Sequence, residues 1–367
     1  MKKLIILLFL IISSVLFGQV DFKNIDDNSK NIPKHLTTAE DIAYHLTKDL
    51  NTDEEKIRAL YVWVAHNIEY DVSYLDGEAR YASTDKILKE VLTKRKGVCQ
   101  HYSDLFNAMA NSIGINSITV LGYVKDINGG IFNYDHCWNA VKIGSDYHLI
   151  DVTWSSGYLH NNKFIREFSD EYFMVEPMVF IKSHIPFDPV WQFLSNPITH
   201  TEFKNNDFSK LDISGSFLFE DHIYNMESLD KIARLEQTNK RIIESGITNQ
   251  LIKTHIEEND IHITIEKLNK AIDSLNYGIK NFNMYREVKD KKFLNQETKN
   301  LEIGKLLFNA ESSINYANNL LSLIITKDLD LKNMVINTKK TISQILTEIK
   351  KEKEIISKYY KNSKYLS

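Results

Sequence analysis

The chain from residue 228 onward contains no proline and repeats its apolar residues at helical spacing. Two stripes with gaps of three and four residues run through residues 261–282 and 303–321. A third series repeats every seven residues and consists of Val335, Ile342, Ile349 and Ile356. Because an amphipathic helix must bury its apolar face against another element, these stripes predict an all-α bundle or coiled coil over residues 228–367.

The preceding residues have a different pattern, in which helices come first and strands follow. Apolar spacing and capping residues predict helices over residues 37–48 and 53–68, with a short helix starting at Ser83 or Thr84. A strand is predicted over residues 117–125 and a hairpin after it. This order favours an α+β domain.

Cys99 precedes a fourth predicted helix in this part of the chain. The apolar side chains after it recur at spacings of three and four up to Ile113, and Gly114 follows as a stop signal. Gly97 supplies a tight turn just before the cysteine. Cys99 is therefore expected at a helix N-terminus, where the helix dipole lowers the pKa of a thiol. A buried structural cysteine is the alternative interpretation.

His136 and Asp151 belong to the predicted hairpin. Its strands are expected over residues 136–143 and 146–154, joined by the two-residue turn Gly144-Ser145. With Ile143 opposite Asp146, Trp138 would lie opposite Asp151 and His136 opposite Thr153, so that all four side chains share one face. His136 and Asp151 then become diagonal neighbours that can form a hydrogen bond.

A thiol, an imidazole and a carboxylate in one place are the parts of a nucleophilic acyl-transfer site. The thiolate attacks a carbonyl, the imidazole moves protons, and the carboxylate orients the imidazole. The sequence therefore predicts a catalytic triad of Cys99, His136 and Asp151.

These motifs resemble the transglutaminase-like superfamily of cysteine enzymes, including its kyphoscoliosis-peptidase-like branch. The resemblance covers residues 36–200 and is carried by residues 63–71, 96–106, 114–115, 120–123, 136–139, 148–154, 172–173, 177, 184–186 and 191–194. It implies a papain-like fold, with Cys99 as nucleophile, His136 as general base and acid, and Asp151 as the orienting carboxylate. Cys137 departs from the pattern, since the family more often has a small residue such as alanine there.

A second donor to the oxyanion, besides the Cys99 backbone N–H, has three candidates: Trp63, Tyr81 and Gln100. The sequence does not rank them. Trp63 lies on a predicted helix, where a core position is the commoner role for tryptophan.

The two cysteines of the chain also raise two other interpretations. A disulfide between Cys99 and Cys137 would silence the nucleophile, but strand parity predicts that Cys137 faces away from His136 and hence from Cys99. A zinc site from Cys99, His101, His136 and Cys137 has poor ligand spacing. Metalloprotease, phosphate-loop and dinucleotide motifs do not occur in the sequence, so we expect no metal and no other cofactor.

The N-terminus has the pattern of a signal peptide over residues 1–19. Lys2 and Lys3 precede an apolar run that is too short to span a bilayer comfortably. We therefore expect an exported protein, periplasmic or secreted, without a stable membrane span after cleavage. Removing residues 1–19 changes the formal net charge from −4 to −6, because they contain two lysines and no acidic residue. A mildly acidic chain is a poor match for nucleic acid or an anionic membrane.

The predicted organisation is a signal peptide (1–19), a transglutaminase-like domain (20–200), a connector (201–227) and a helical domain (228–367). The expected function is cleavage or transfer at amide bonds of a protein or peptide substrate, with hydrolysis favoured over crosslinking. The alternative is a non-catalytic module that docks a protein partner through its C-terminal helices, which otherwise serve a structural role.

Overall fold

The structure is a computed structural model that describes residues 21–74, 84–126, 128–211, 213–290 and 296–363. The predicted signal peptide and Tyr81 lie outside the described residues. Contacts divide the described residues into two compact units, the first within 21–121 and 136–180, the second within 122–135 and 181–363. The domain boundaries derived from the sequence stay predictions.

The first unit combines helices with short strands. Its helices are α1 (Lys23–Ser29), α2 (Ala39–Thr47), α3 (Asp53–Asn67), α4 (Thr84–Lys94), α5 (Cys99–Ser112), α6 (Val152–Ser156) and α7 (Pro177–Phe180). Its strands are β1 (Glu69–Tyr70), β2 (Lys96–Gly97), β3 (Ser117–Val124), β4 (His136–Ile143), β5 (Asp146–Ile150), β6 (Gly157–His160) and β7 (Lys163–Arg166). β5, β4 and β3 are neighbours in that order in one sheet, while β1 pairs with β2 and β6 with β7.

Helix α3 lies at the centre of this unit, and other elements of the unit cover it on all sides. The Thr52 side chain caps its first turn and Glu55 returns the contact, which is the capping box that the sequence predicts. Nine consecutive residues, 57–65, are buried. The charged member, Arg58, is held by Asp26 at 2.6 Å and by Asp170 at 2.6 Å, so its burial does not leave an unpaired charge.

The second unit contains the end of β3 and a long helical region. Residues 122–124 of β3 pair antiparallel with β8 (His184–Pro186). The helices are α8 (His200–Lys204), α9 (Phe219–Ser228), α10 (Lys231–Ser245), α11 (Gln250–Asp290), α12 (Gln296–Ser322) and α13 (Leu329–Ser363).

The apolar stripes of α11, α12 and α13 meet in one core. Ala310, Ile314 and Ala317 of α12 are fully buried there, as are Ile342 and Ile349 of the seven-residue series in α13. The predicted fold class, an α+β core followed by an all-α region, is confirmed. In the described part of the chain, no helix is both long enough and apolar enough to cross a membrane.

Candidate active site

Cys99 is the first residue of α5, as the sequence predicts, and it is partly exposed. The turn into the helix is fixed by His101, whose Nδ1 accepts a hydrogen bond from the Val98 backbone N–H at 3.2 Å. Gly97 makes room for that ring, because a Cβ at residue 97 would lie 2.4 Å from Cβ of His101. The thiol therefore lies at the positive end of a 14-residue helix.

The hairpin has the predicted register but a shorter second strand. Ile143 pairs with Asp146, and the ladder continues to Asn139 opposite Ile150. Gly144 occupies the turn with φ +62, a conformation that suits glycine. The strand predicted to reach Trp154 ends at Ile150, so that the predicted pairing of His136 with Thr153 is wrong.

Asp151 is the reason that the strand ends there. It is the N-cap of α6, and its Oδ1 accepts the backbone N–H of Trp154 at 3.0 Å. Ser155 adds a hydroxyl hydrogen bond to the Asp151 carbonyl at 2.7 Å. Aspartate is a favoured N-cap because its side chain satisfies an N–H that the first helical turn leaves unpaired.

The second carboxylate oxygen of Asp151 binds His136. Asp151 Oδ2 lies 2.6 Å from Nε2 of His136, and the exposed fractions of the two side chains are 0% and 3%. The predicted proximity of imidazole and carboxylate is therefore present, through a helix cap rather than a continued strand. The indole rings of Trp154 and Trp138 lie 5.6 and 6.2 Å from the imidazole centroid and shield the pair from water.

Because Nε2 faces Asp151, Nδ1 is the ring nitrogen left for the nucleophile. His136 forms a side-chain hydrogen bond with Cys99. Burial alone would disfavour the charged ring, but Asp151 and then Cys99 outweigh it and raise the pKa of His136 well above its usual value.

The pKa of Cys99 is lowered well below its ordinary range. The largest cause is a hydrogen bond from the Cys137 side chain, and His136 adds a hydrogen bond and a positive charge, all against the effect of burial. The Cys137 backbone N–H contributes as well. With the His136 pKa raised and the Cys99 pKa lowered, the favoured state at neutral pH is a thiolate–imidazolium pair.

The position of Cys137 corrects the strand-parity argument. The sequence predicts that its side chain faces away from Cys99, whereas its side chain and its backbone N–H both contact that sulfur. Backbone N–H groups point along the plane of a sheet, so the sulfur of Cys99 lies beside the strand rather than over one face. Residue 137 is beyond Asn139, the last residue of β4 paired with β5. The alternation of side chains assigns neighbouring residues to opposite faces of the sheet. It does not prevent both of them from contacting an atom that lies beside the strand.

Two buried polar side chains that sequence reasoning missed connect α5 to β4. Ser103, one turn after the nucleophile, donates its hydroxyl to the Cys137 carbonyl at 3.0 Å. Asn139 returns the contact by donating its amide to the Ser103 carbonyl at 3.0 Å. These reciprocal hydrogen bonds fix the start of α5 relative to the strand that carries His136. Asn139 lies in the segment 136–139 that carries part of the family resemblance, and this was the sequence signal that could have identified it.

The oxyanion candidates differ in their surroundings. Trp63 is fully buried in the core of the first unit and is a packing residue. The Gln100 side chain hydrogen bonds to Asp104. Tyr81 lies outside the described residues. Among the four residues of the alternative zinc set, His101 already uses Nδ1 in the turn before α5.

Comparison with known proteins identifies the domain. The description "Transglutaminase-like superfamily" belongs to the family model that matches residues 40–155. This range contains the three predicted site residues. Their catalytic roles stay a prediction.

Curated relatives match slightly less than half of the chain. "Kyphoscoliosis peptidase" of Homo sapiens is 33% identical over 178 residues, which is 47% of this chain and 26% of that protein. Its Mus musculus counterpart is 34% identical over 172 residues, covering 45% of this chain and 26% of that protein. The match thus spans about a quarter of the length of these relatives.

A solved structure titled "Crystal structure of a TGase" aligns with a TM-score of 0.26 and 19% identity, covering 44% of this chain and 40% of that one. At this TM-score it adds nothing to the assignment, which rests on the family model and the sequence relatives. Residues 40–155 thus match the transglutaminase-like superfamily, and the chain is similar to the kyphoscoliosis peptidases over about half of its length.

Proposed function

We propose that this chain is an exported cysteine enzyme that hydrolyses amide bonds of protein or peptide substrates through a thioester on Cys99. The observation that carries the proposal is the continuous hydrogen-bonded series from Cys99 through His136 to Asp151, in which His136 Nε2 lies 2.6 Å from Asp151. The match of residues 40–155 to the superfamily adds support, because the resemblance implies these same three roles.

The first half of the reaction follows from the protonation states. The Cys99 thiolate attacks the amide carbonyl carbon, and the negative charge moves to the carbonyl oxygen. The backbone N–H of Cys99, in the first turn of α5, is one donor to that oxygen. His136 then gives its Nδ1 proton to the leaving amine, the C–N bond breaks, and a thioester remains on Cys99.

The second half returns the enzyme to its starting state. Neutral His136 accepts a proton from water as the water oxygen attacks the thioester carbonyl. Breakage of the C–S bond releases a carboxylic acid and restores the thiolate–imidazolium pair. Asp151 stays ionised throughout, holds the imidazole by Nε2 and stabilises its positive charge.

An amine could replace water in that step, which would make the protein a crosslinking enzyme. Two considerations favour hydrolysis. Water is the more abundant acceptor, and the curated relatives at 33% and 34% identity carry the name peptidase. Export is proposed from the basic and apolar pattern of residues 1–19.

The test is turnover of a peptide library by the wild-type chain and by Cys99→Ser. The serine variant keeps nearly the same shape, but its hydroxyl does not ionise at neutral pH, so turnover should fall by about 10⁴-fold or more. Folding is checked by circular dichroism. Retention of turnover in Cys99→Ser would overturn the catalytic assignment.

Addition of a lysine-like primary amine during turnover separates the two acceptors. New carboxyl termini identify hydrolysis, and amine-capped products identify transfer. A wild-type chain with no turnover and with an ordinary thiol alkylation rate would instead support the partner-docking module.

A further inference from the structure

The site contains a second thiol that the proposed reaction does not consume. Cys99 and Cys137 are the two cysteines of the chain, and neither forms a disulfide in this structure. Cys99 is partly exposed at the start of α5, whereas Cys137 is buried on β4. Residue 99 thus borders solvent, whereas residue 137 is enclosed by the fold.

The two thiols contact each other directly. The Cys137 S–H donates a hydrogen bond to the Cys99 thiolate. The backbones that carry them are held independently of the sulfurs, because Ser103 donates to the Cys137 carbonyl and Asn139 donates to the Ser103 carbonyl, each at 3.0 Å. Ser103 and Asn139 are 2% and 0% exposed, so that these hydrogen bonds are protected from water. The sulfurs are therefore neighbours in the resting fold.

A partly exposed thiolate is the form of cysteine that hydroperoxides oxidise. Without a neighbouring thiol the oxidation continues from sulfenic acid to sulfinic and sulfonic acids, which ordinary thiols do not reduce. With a second thiol in contact, the sulfenic acid condenses to a disulfide, which thiols do reduce.

We propose that Cys99 and Cys137 are a redox-active pair, in which Cys137 captures hydroperoxide-oxidised Cys99 as a reversible intramolecular disulfide. In the first step the Cys99 sulfur attacks a peroxide oxygen, and the O–O bond breaks. The sulfur loses two electrons to the peroxide and becomes sulfenic acid, while the leaving oxygen takes the proton of the His136 imidazolium and departs as water, or as an alcohol from an organic peroxide.

In the second step the Cys137 sulfur attacks the Cys99 sulfur. The S–S bond forms, the S–O bond breaks, and the hydroxide leaves as water with the proton of Cys137. A dithiol reductant reverses the oxidation by returning two electrons and two protons. The disulfide removes the nucleophile for as long as it exists, and it preserves Cys99 from irreversible oxidation.

The experiment uses the full chain, reduced and then treated with hydrogen peroxide near equimolar to protein. Remaining thiols are blocked with iodoacetamide, and peptides are mapped by mass spectrometry without reductant. We expect a peptide that links Cys99 to Cys137 within one chain, with a loss of two hydrogen atoms, and its disappearance after dithiothreitol.

Cys137→Ala and Cys137→Ser are the test variants, and alanine is the residue the family more often has there. In both, Cys99 should be trapped by dimedone as sulfenic acid and then accumulate as sulfinic and sulfonic acids that dithiothreitol does not reverse. Asp146→Asn, an exposed change on β5, should behave as the wild type.

The proposal would be overturned if Cys99 of the wild type were oxidised to sulfinic acid as fast as Cys99 of the Cys137 variants. A disulfide that forms only between two chains would also overturn it. Because mass mapping does not use turnover, absence of peptidase activity would refute the proposed function and leave this result standing.

Discussion

The helices of the two units bury their residues in different ways. Residues 57–65 of α3 are all buried, because other elements cover the helix on every side. In α12, by contrast, Ala310, Ile314 and Ala317 are fully buried while Phe308 is 69% exposed. The first arrangement buries a whole helix, and the same unit carries the buried polar contact between His136 and Asp151, whereas the second arrangement buries one apolar stripe. We therefore expect single polar contacts to control chemistry in the first unit and apolar volume to control stability in the second.

After Cys99→Ser, the largest effect is expected from Asp151→Asn. Asparagine still caps α6, because it is as good an N-cap as aspartate, but it removes the charge that stabilises the His136 imidazolium. Turnover of peptide substrates should fall by about 10³–10⁴-fold, with little change in the circular dichroism spectrum. Peptide hydrolysis rates at neutral pH are the measurement.

Asp146→Asn, on the same hairpin but exposed, is the matched control for Asp151→Asn and should retain wild-type turnover. Equal losses in the two variants would mean that the hairpin is sensitive to any change of charge, and the specific role of Asp151 would be wrong.

Ile314→Ala in the second unit should have a large effect on stability and none on the chemistry of the candidate site. Ile314 is fully buried, and its Cγ1 would lie 2.5 Å from a Cβ at Gly278, so α11 and α12 pack closely at this point. Truncation leaves a cavity and should lower the free energy of unfolding by about 2–5 kcal/mol, measured by urea denaturation. The alkylation rate of Cys99 without denaturant should not change. A fall in the alkylation rate would contradict the expectation that apolar volume in the second unit affects stability alone.

This difference between the units also explains what could be predicted from the sequence. In α13 the apolar series has a period that any one-sided helix must have, and Ile342 and Ile349 are buried accordingly. For α3, the Thr52–Glu55 capping box predicts where the helix begins and apolar spacing predicts one buried face, whereas the helix is buried on all sides. Periodicity thus predicts the helices and the buried residues of the second unit well, but it does not indicate the function of that unit.

In the candidate site, the sequence predicts the three site residues but not the contacts that hold them in place. The turn at Gly144 correctly gave the register of the hairpin. It did not reveal that Asp151 leaves the strand to cap α6, because its strand-like neighbours Val152 and Thr153 hid the cap signal. Nor could parity place Cys137 beside Cys99, since that contact depends on where α5 meets the edge of β4. Contacts between distant segments are set by tertiary packing, which one sequence does not report.

A moderate effect is expected from Cys137→Ala on the acidity of the nucleophile. The variant loses the main cause of the lowered Cys99 pKa, so that the pKa rises and less thiolate exists at mildly acidic pH. Hydrogen bonds to charged groups contribute about 1.5–3 kcal/mol, which predicts a roughly tenfold or greater fall in iodoacetamide alkylation of Cys99 at such a pH. At alkaline pH, where both forms are thiolate, the two rates should converge. A constant ratio at all pH values would indicate altered access to the sulfur instead.

The smallest effect is expected from Phe308→Ala, which shares α12 with Ile314 and therefore isolates burial from helix position. Phe308 is 69% exposed, so little apolar area is uncovered by its truncation, and alanine is the better helix former. The free energy of unfolding should stay within about 0.5 kcal/mol of the wild type by urea denaturation, against about 2–5 kcal/mol for Ile314→Ala. Similar losses for the two variants would mean that something in solution covers the exposed side of α12. Sedimentation of both chains at several concentrations would then reveal whether that cover is a second copy of the protein, because only self-association makes the stability of the wild type depend on its own concentration.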